Sequence, residues 1–296
     1  MLFRLDVMKN LTKKKLKLRR ASFSCVTSDV GVQIILRDPS LKRVEGKLFC
    51  SQQPWETEIS GKVTARISRL ESRFRGYEKR LDVTKKLLDY FFRNCRKTDV
   101  AVVFTRVSEN DIGVLHGLED KGFRALECLL TFESSGPTKW KCKSGVRVRE
   151  FQEKDLKILE RIGATSFEYS RFHSDPRISR PVADRSRAAW VRNSCLGRSS
   201  IVFVAVKGKL PVGFCLCREV EDDGVRKGVI DLIAADRAFP RQGIGLALTG
   251  ATVDHYAEKK MSVLVGTQGK NVPSVNLYIK AGFRLVRSDF GMVKYF

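Results

Sequence analysis

Histidine is scarce in this chain, and acidic residues are outnumbered. Only three histidines occur among 296 residues, and none of the eight cysteines (Cys25, Cys50, Cys95, Cys128, Cys142, Cys195, Cys215 and Cys217) belongs to a Cys-x-x-Cys pair. The ligand spacing of a zinc site is missing, so no metal is expected. The cysteines read as reduced thiols of a cytoplasmic protein. No apolar run approaches the roughly 20 residues of a membrane-spanning helix. Neither the Gly-Lys-Ser/Thr of a P-loop nor the glycine spacing of a dinucleotide fingerprint is present. Lys+Arg 56 against Asp+Glu 33 leaves a net charge of +23. An excess of that size points to nucleic acid, an acidic membrane face or phosphorylated small molecules as partners, or to a solvated basic surface.

What is present suffices for two domains of ordinary size, and 43% hydrophobic residues supply a core. Residues 1–20 mix leucines with lysines and arginines, the charge following the apolar residues, unlike a secretory signal. They read as a basic tail, or as an amphipathic segment for an anionic membrane surface. Ser134-Ser-Gly-Pro-Thr-Lys139 has linker composition, which gives an N-terminal subdomain at 21–140 and a second domain at 141–296.

In the first half, Val30 to Leu36, Lys62 to Ile67 and Val100 to Val107 read as strands. Gln53 to Gly61 reads as a turn-rich segment, and Leu81 to Arg96 as a helix with Val83, Leu87, Leu88, Phe91 and Phe92 inward. In the second half, strand Val146–Phe151 precedes helix Gln152–Ile162. A loop follows from Phe167 to Ile178, then helix Ala183–Asn193. Strands Ser200–Val206 and Val212–Cys217 pair around Lys207-Gly-Lys209. Strand Val229–Ala235, helix Ile244–Ala257, strand Ser262–Gly266 and strand Val286–Tyr295 complete the half. Asn110 to Arg124 and Asn271 to Arg284 are each a helix closed by Gly-Phe-Arg before a strand, which aligns Leu118 with Tyr278. The chain therefore carries an internal repeat whose first copy lacks the tyrosine and the glycine turn.

The segment from Ile230 to Leu248 combines a short apolar strand, the turn Arg241-Gln-Gly-Ile-Gly-Leu246 and a helix start. A helix start offers unpaired N–H groups and partial positive charge, a cradle for phosphate. Together with Asn271-Val-Pro-Ser-Val-Asn-Leu-Tyr-Ile-Lys-Ala-Gly-Phe283, this segment resembles the acetyl-CoA-binding motifs of the GNAT acetyltransferase superfamily. More narrowly the chain is similar to nucleotide-sugar amine acetyltransferases of the TDP-fucosamine acetyltransferase type, through Thr267-Gln268 before Asn271 and through Tyr278-Ile279.

The resemblance implies an α/β (α+β) GNAT fold, a mixed central sheet flanked by helices, with a degenerate GNAT-like N-terminal half. It also implies transfer of acetyl from acetyl-CoA to the amine of a nucleotide-linked amino-deoxysugar. Tyr278 is then the proton donor, and cofactor contacts come from Ile233, Ala234, Ala235, Arg241, Gln242, Gly243, Ile244, Gly245, Leu246 and Asn271. Pro240 departs from the family pattern, because proline lacks the N–H a phosphate would use; Arg241 can compensate.

Candidate acceptor residues are His173, Asp175 and Arg177, with Glu56 in the first half. His173 can receive a proton and Asp175 can orient the amine, but Asp-Pro also starts turns and Arg177 can simply pair with Asp175. Transfer is expected to be direct, with Cys215 and Cys217 as a covalent alternative. A ribosomal-protein-type peptide acetyltransferase and a non-catalytic nucleic-acid or membrane-surface binder are the competing readings. A homodimer is a further expected partner, whereas nucleic acid is not expected for the enzyme.

Overall fold

A computed structural model describes residues 17–18, 21–28, 31–134, 136, 145–222 and 224–296. Most of the basic tail, Cys142 and most of the linker lie outside the described residues. Two compact units form: Met1–Glu127 with Asp289–Phe296, and Cys128–Ser288. Relative to a division at 140/141, residues 128–134 and 289–296 each belong with the other half.

The first unit runs β1 (Lys17–Leu18), β2 (Ala21–Ser28), β3 (Gly31–Arg37), β4 (Val44–Gln52), α1 (Pro54–Ser60), β5 (Thr64–Ser72), α2 (Tyr77–Cys95), β6 (Val102–Ser108) and α3 (Ile112–Asp120). Strands β2 to β5 form an antiparallel meander. Helix α2 then carries the chain over to β6, which pairs parallel to β5, the connection a helical crossover makes. Val83, Leu87, Leu88 and Phe91 of α2 recur at helical spacing and bury against Ile34, Leu48, Ile67 and Val103 of the strands. The last strand, β13 (Arg284–Tyr295), supplies the antiparallel neighbour of β6 through Asp289–Tyr295.

The second unit contains the end of β7 (Arg124–Ser134), then β8 (Val146–Glu150), α4 (Leu156–Thr165), α5 (Arg171–Ser174), α6 (Arg180–Asn193), β9 (Ile201–Lys207), β10 (Leu210–Asp222), β11 (Val225–Ala235), α7 (Ile244–Glu258), β12 (Val263–Gln268) and α8 (Val272–Lys280). Strands β8 to β11 are antiparallel neighbours in sequence order. Strand β12 lies parallel to β11 and antiparallel to β7. Helices cover both faces of this mixed sheet. Leu159, Ile162 and Val191 of α4 and α6 pack on Val204, Phe214 and Leu232. On the other face Ile244, Leu248, Val253 and Tyr256 of α7 and Tyr278 of α8 pack with Cys215, Cys217 and Ile230.

Two expectations need correction. Gln53 to Gly61 is not a turn: Pro54 opens α1 and Gly61, at φ 69°, closes it, the terminal signals of a helix. Half of the Phe167–Ile178 loop is shaped by the helical turn α5 and by a turn at Asp175. The repeat is visible bond for bond. Asp111 and Asn271 cap α3 and α8 by accepting from Val114 N and Ser274 N, each at 3.3 Å. Gly122 and Gly282 have φ of 79° and 83°. Phe123 N donates to Leu118 O and Phe283 N to Tyr278 O, both at 3.0 Å. Among the described residues no helix is long and apolar enough to cross a membrane.

Candidate active site

The site begins where β11 and β12 part. Their parallel pairing runs only from Gly228↔Val263 to Ile230↔Val265. On its other edge β11 stays paired with β10 as far as Ala235↔Gly213, with an irregularity at Asp231 between Cys217↔Ile230 and Leu216↔Leu232. The Asp231–Ala235 stretch therefore has an edge without a strand partner, facing the gap. A planar amide or thioester can take hydrogen bonds from such an edge. Ile233, Ala234 and Ala235, expected as cofactor contacts, lie on this stretch.

Strand β11 ends in a constructed turn. Asp236 is buried, accepts from Ala238 N at 3.0 Å, and pairs with Arg161 at 2.6 Å. The chain then passes through Arg241, at φ 57°, and Gly243, at φ 72°. Gly243 is the N-cap of α7 and no side chain caps that helix. The left-handed backbone favours glycine here, and the uncapped first turn leaves its N–H groups for a ligand. Gly245 faces Leu277 of α8 so closely that a Cβ would sit 3.1 Å from it.

The turn also has a cation the motif does not contain. Lys207, at the end of β9, donates to Gln242 Oε1 at 3.1 Å and lies 5.7 Å from the Phe239 ring. Sequence spacing gives no hint of it, because the β9–β10 hairpin brings it from a distant position.

Across the gap, α8 holds Asn271 and Tyr278. Asn271 caps the helix and its Nδ2 donates to Thr267 Oγ1 at 3.1 Å, so its side chain is committed to structure. Tyr278, the expected proton donor, lies on the inward side of α8. It is 2% exposed, between Phe132 and Phe283, with ring centroids 6.0 and 5.8 Å away. Burial, with Cys215 nearby, pushes the phenol far above its ordinary value, so it stays protonated. Its hydroxyl makes no hydrogen bond to the described residues, and it is not among their fully buried polar atoms left without a partner, which include Tyr256 Oη.

The acceptor candidates divide. His173 is not an open loop group: its side chain is 1% exposed and both ring nitrogens are engaged. Nδ1 lies 2.5 Å from Ser170 Oγ, and Nε2 lies 3.0 Å from Asp184 Oδ1. Burial, opposed by Asp184 and reinforced by Arg187 and Arg180, lowers its pKa. The Asp184 contact is accordingly a neutral hydrogen bond near pH 7 and not an ion pair. Ser170 and Asp184 went unread in the sequence; a serine three residues before a histidine at a helix start was the available signal.

Asp175 is buried and accepts from Arg177 N at 3.0 Å, the turn geometry that Asp-Pro favours. Glu56 lies in α1 of the first unit. The covalent alternative fails on chemistry. Cys215 and Cys217 share a buried face, 3.6 Å apart, and burial holds the Cys215 thiol well above its ordinary value. A thiol so held is not the thiolate a nucleophile requires. Among the described residues no cluster of His, Cys, Asp or Glu could hold a metal.

Residues 166–283 match the model of the acetyltransferase (GNAT) family. The chain is 24% identical over 267 residues to the spore coat polysaccharide biosynthesis protein SpsD of Bacillus subtilis (strain 168), covering 90% of this chain and 89% of that protein. It is 26% identical over 148 residues to a mycothiol acetyltransferase of Propionibacterium freudenreichii subsp. shermanii, covering 50% of this chain and 46% of that one. In fold it is similar to a GCN5-related N-acetyltransferase from Sphaerobacter thermophilus, with TM-score 0.63, 15% identity and coverage of 89% of this chain and 80% of that one. A tandem GNAT protein from the clavulanic acid biosynthesis pathway superposes with TM-score 0.59, 13% identity and coverage of 89% and 82%. At these identities the solved structures speak to fold alone.

Proposed function

We propose that this chain, which matches the GNAT acetyltransferase family model over residues 166–283 and has the GNAT fold, is an N-acetyltransferase that moves acetyl from acetyl-CoA directly to the amine of a nucleotide-linked amino-deoxysugar. The observation that carries the reading is the free edge of β11 between an uncapped helix start and an unpaired phenol. Those three features match the needs of a thioester tailed by a pyrophosphate. Acetyl-CoA supplies an activated acyl group. The N–H groups of Gln242 to Leu246, with Arg241 and Lys207, would hold its phosphates. The Ile233–Ala235 edge would hold its carbonyl oxygen, a bond that strengthens as charge develops there. Tyr278 Oη would hold the proton that the departing sulfur takes.

The sugar acceptor is supported by the likeness to SpsD, whose name places it in spore coat polysaccharide biosynthesis. Thermal shift with acetyl-CoA, followed by thiol release with TDP- and UDP-linked amino sugars and with peptide amines, tests both parts. A ligand at 100 times its Kd stabilises by about 2.7 kcal/mol. No shift at millimolar acetyl-CoA would overturn the catalytic reading; thiol release with peptides alone would overturn the sugar.

A further inference from the structure

We propose that Ser170, His173 and Asp184 form a proton relay that takes the proton of the acceptor amine, an inference resting on the acetyl-transfer reading. Residues 166–174 bridge the mouth of the gap. Ser166 Oγ donates to Ala235 O at 3.0 Å, at the tip of β11. Lys270 Nζ donates to Ser174 Oγ at 2.7 Å, at the residue leading from β12 into α8. In sequence Ser170 lies midway between these two anchored serines, and it is buried.

Its side chain behaves unusually for its position. Ser170 is the N-cap of α5, yet its hydroxyl makes no cap bond, although capping is the common use of serine there. The backbone carbonyl alone receives His173 N at 2.8 Å and Ser174 N at 2.9 Å, and the hydroxyl turns to the imidazole. The far ring nitrogen faces a carboxylate, which only accepts. Nε2 therefore carries the hydrogen, Nδ1 is bare, and the Ser170 hydroxyl donates to it.

That polarity suits removal of a proton. As the amine nitrogen bonds to the acyl carbon and the carbon–sulfur bond breaks, the electron pair leaves on sulfur. The amine's N–H proton passes to Ser170 Oγ while the serine's own proton moves to His173 Nδ1. The resulting imidazolium faces Asp184 and later returns its proton to water. The charged groups facing the ring are Asp184, Arg180 and Arg187, all from α6. The arginines and burial keep the resting ring neutral, the state that can accept; Asp184, also bound by Arg180 Nε at 3.0 Å, orients it.

The test uses the full chain with acetyl-CoA and dTDP-4-amino-4,6-dideoxygalactose, following thiol release against pH. Ser170→Ala and His173→Gln should bind acetyl-CoA with unchanged Kd, lower kcat about 100-fold, and lose the acidic limb of the kcat profile. A second readout needs no acceptor. With only three histidines, long-range proton–nitrogen NMR at pH 7.5 can assign the His173 ring by comparison with His173→Gln. The relay requires the Nε2–H tautomer. An Nδ1–H tautomer, a doubly protonated ring, or variants with wild-type rate and profile would each overturn it. Should the wild-type chain bind acetyl-CoA and release no thiol with this sugar, the sugar reading falls while the tautomer still decides the relay.

Discussion

At the scale of single residues, two buried groups with opposite needs would handle protons in the proposed transfer. Tyr278 keeps its proton and has no partner for it, so removing its oxygen costs no hydrogen bond. Tyr278→Phe should leave the melting temperature unchanged or slightly higher and acetyl-CoA affinity intact, while lowering kcat about 100-fold. An unchanged rate in a steady-state assay would remove the phenol from the mechanism.

His173 is the reverse case, a base kept neutral. Its folded pKa lies below the ordinary 6.5, so the unfolded chain binds the proton more readily. Stability from this group is complete above about pH 6.5 and falls as the pH drops below it. Denaturant titrations from pH 7.5 to 5 should show that loss, and His173→Gln should flatten it. Lys207 is exposed, so its contribution is screened by salt. Lys207→Ala should weaken acetyl-CoA binding three- to tenfold at low ionic strength, on the order of 1 kcal/mol, and much less at 0.5 M salt by calorimetry.

Elements explain what the sequence disclosed and what it hid. Helix α2 was legible because its buried positions are mostly large and recur at helical spacing, and α7 from Ile244, Leu248 and Tyr256, although Thr249, Gly250 and Thr252 are buried with them. Strand β4 was not. Its inward positions are Gly46, Leu48 and Cys50, and two of these carry little hydrophobic signal. Gly46 is inward because a Cβ there would meet Val83 at 2.4 Å, a packing reason invisible in the chain itself. The turn at Arg241–Leu246 was legible from its glycines, whereas the gap beside it was not, since strand divergence is a tertiary property.

The same logic gives a test of α7 on β11. A Cβ at Gly228 would lie 2.5 Å from the Tyr256 ring, which is fully buried. Gly228→Ala should therefore destabilise by about 1–3 kcal/mol, read as a lower denaturation midpoint. Because Gly228 opens the parallel pairing that ends at the gap, acetyl-CoA affinity should fall with it.

At the scale of the whole molecule, each repeat completes its sheet with a strand segment from the other half of the chain. Strand β12 takes six antiparallel partners from Leu129–Ser134, residues that precede the linker. Strand β6 takes seven from Asp289–Tyr295, residues at the far end of the chain, including the fully buried Met292. The linker composition at Ser134–Lys139 thus falls inside the second unit, Cys128–Ser288, and not at its limit. A fragment of residues 141–296 would keep the Arg241–Leu246 turn, Tyr278, Ser170, His173 and Asp184, yet β12 would face solvent along its β7 edge. An unpaired strand edge of that length is an aggregation site, and the unit would lose Phe132, which packs beside Tyr278.

We expect the 141–296 fragment to be insoluble or to lack a cooperative thermal transition, and a 124–288 fragment to retain acetyl-CoA binding. Circular dichroism melts and calorimetry on both fragments check this. A 141–296 fragment that melts cooperatively and binds acetyl-CoA as the full chain does would show that the exchanged segments are dispensable.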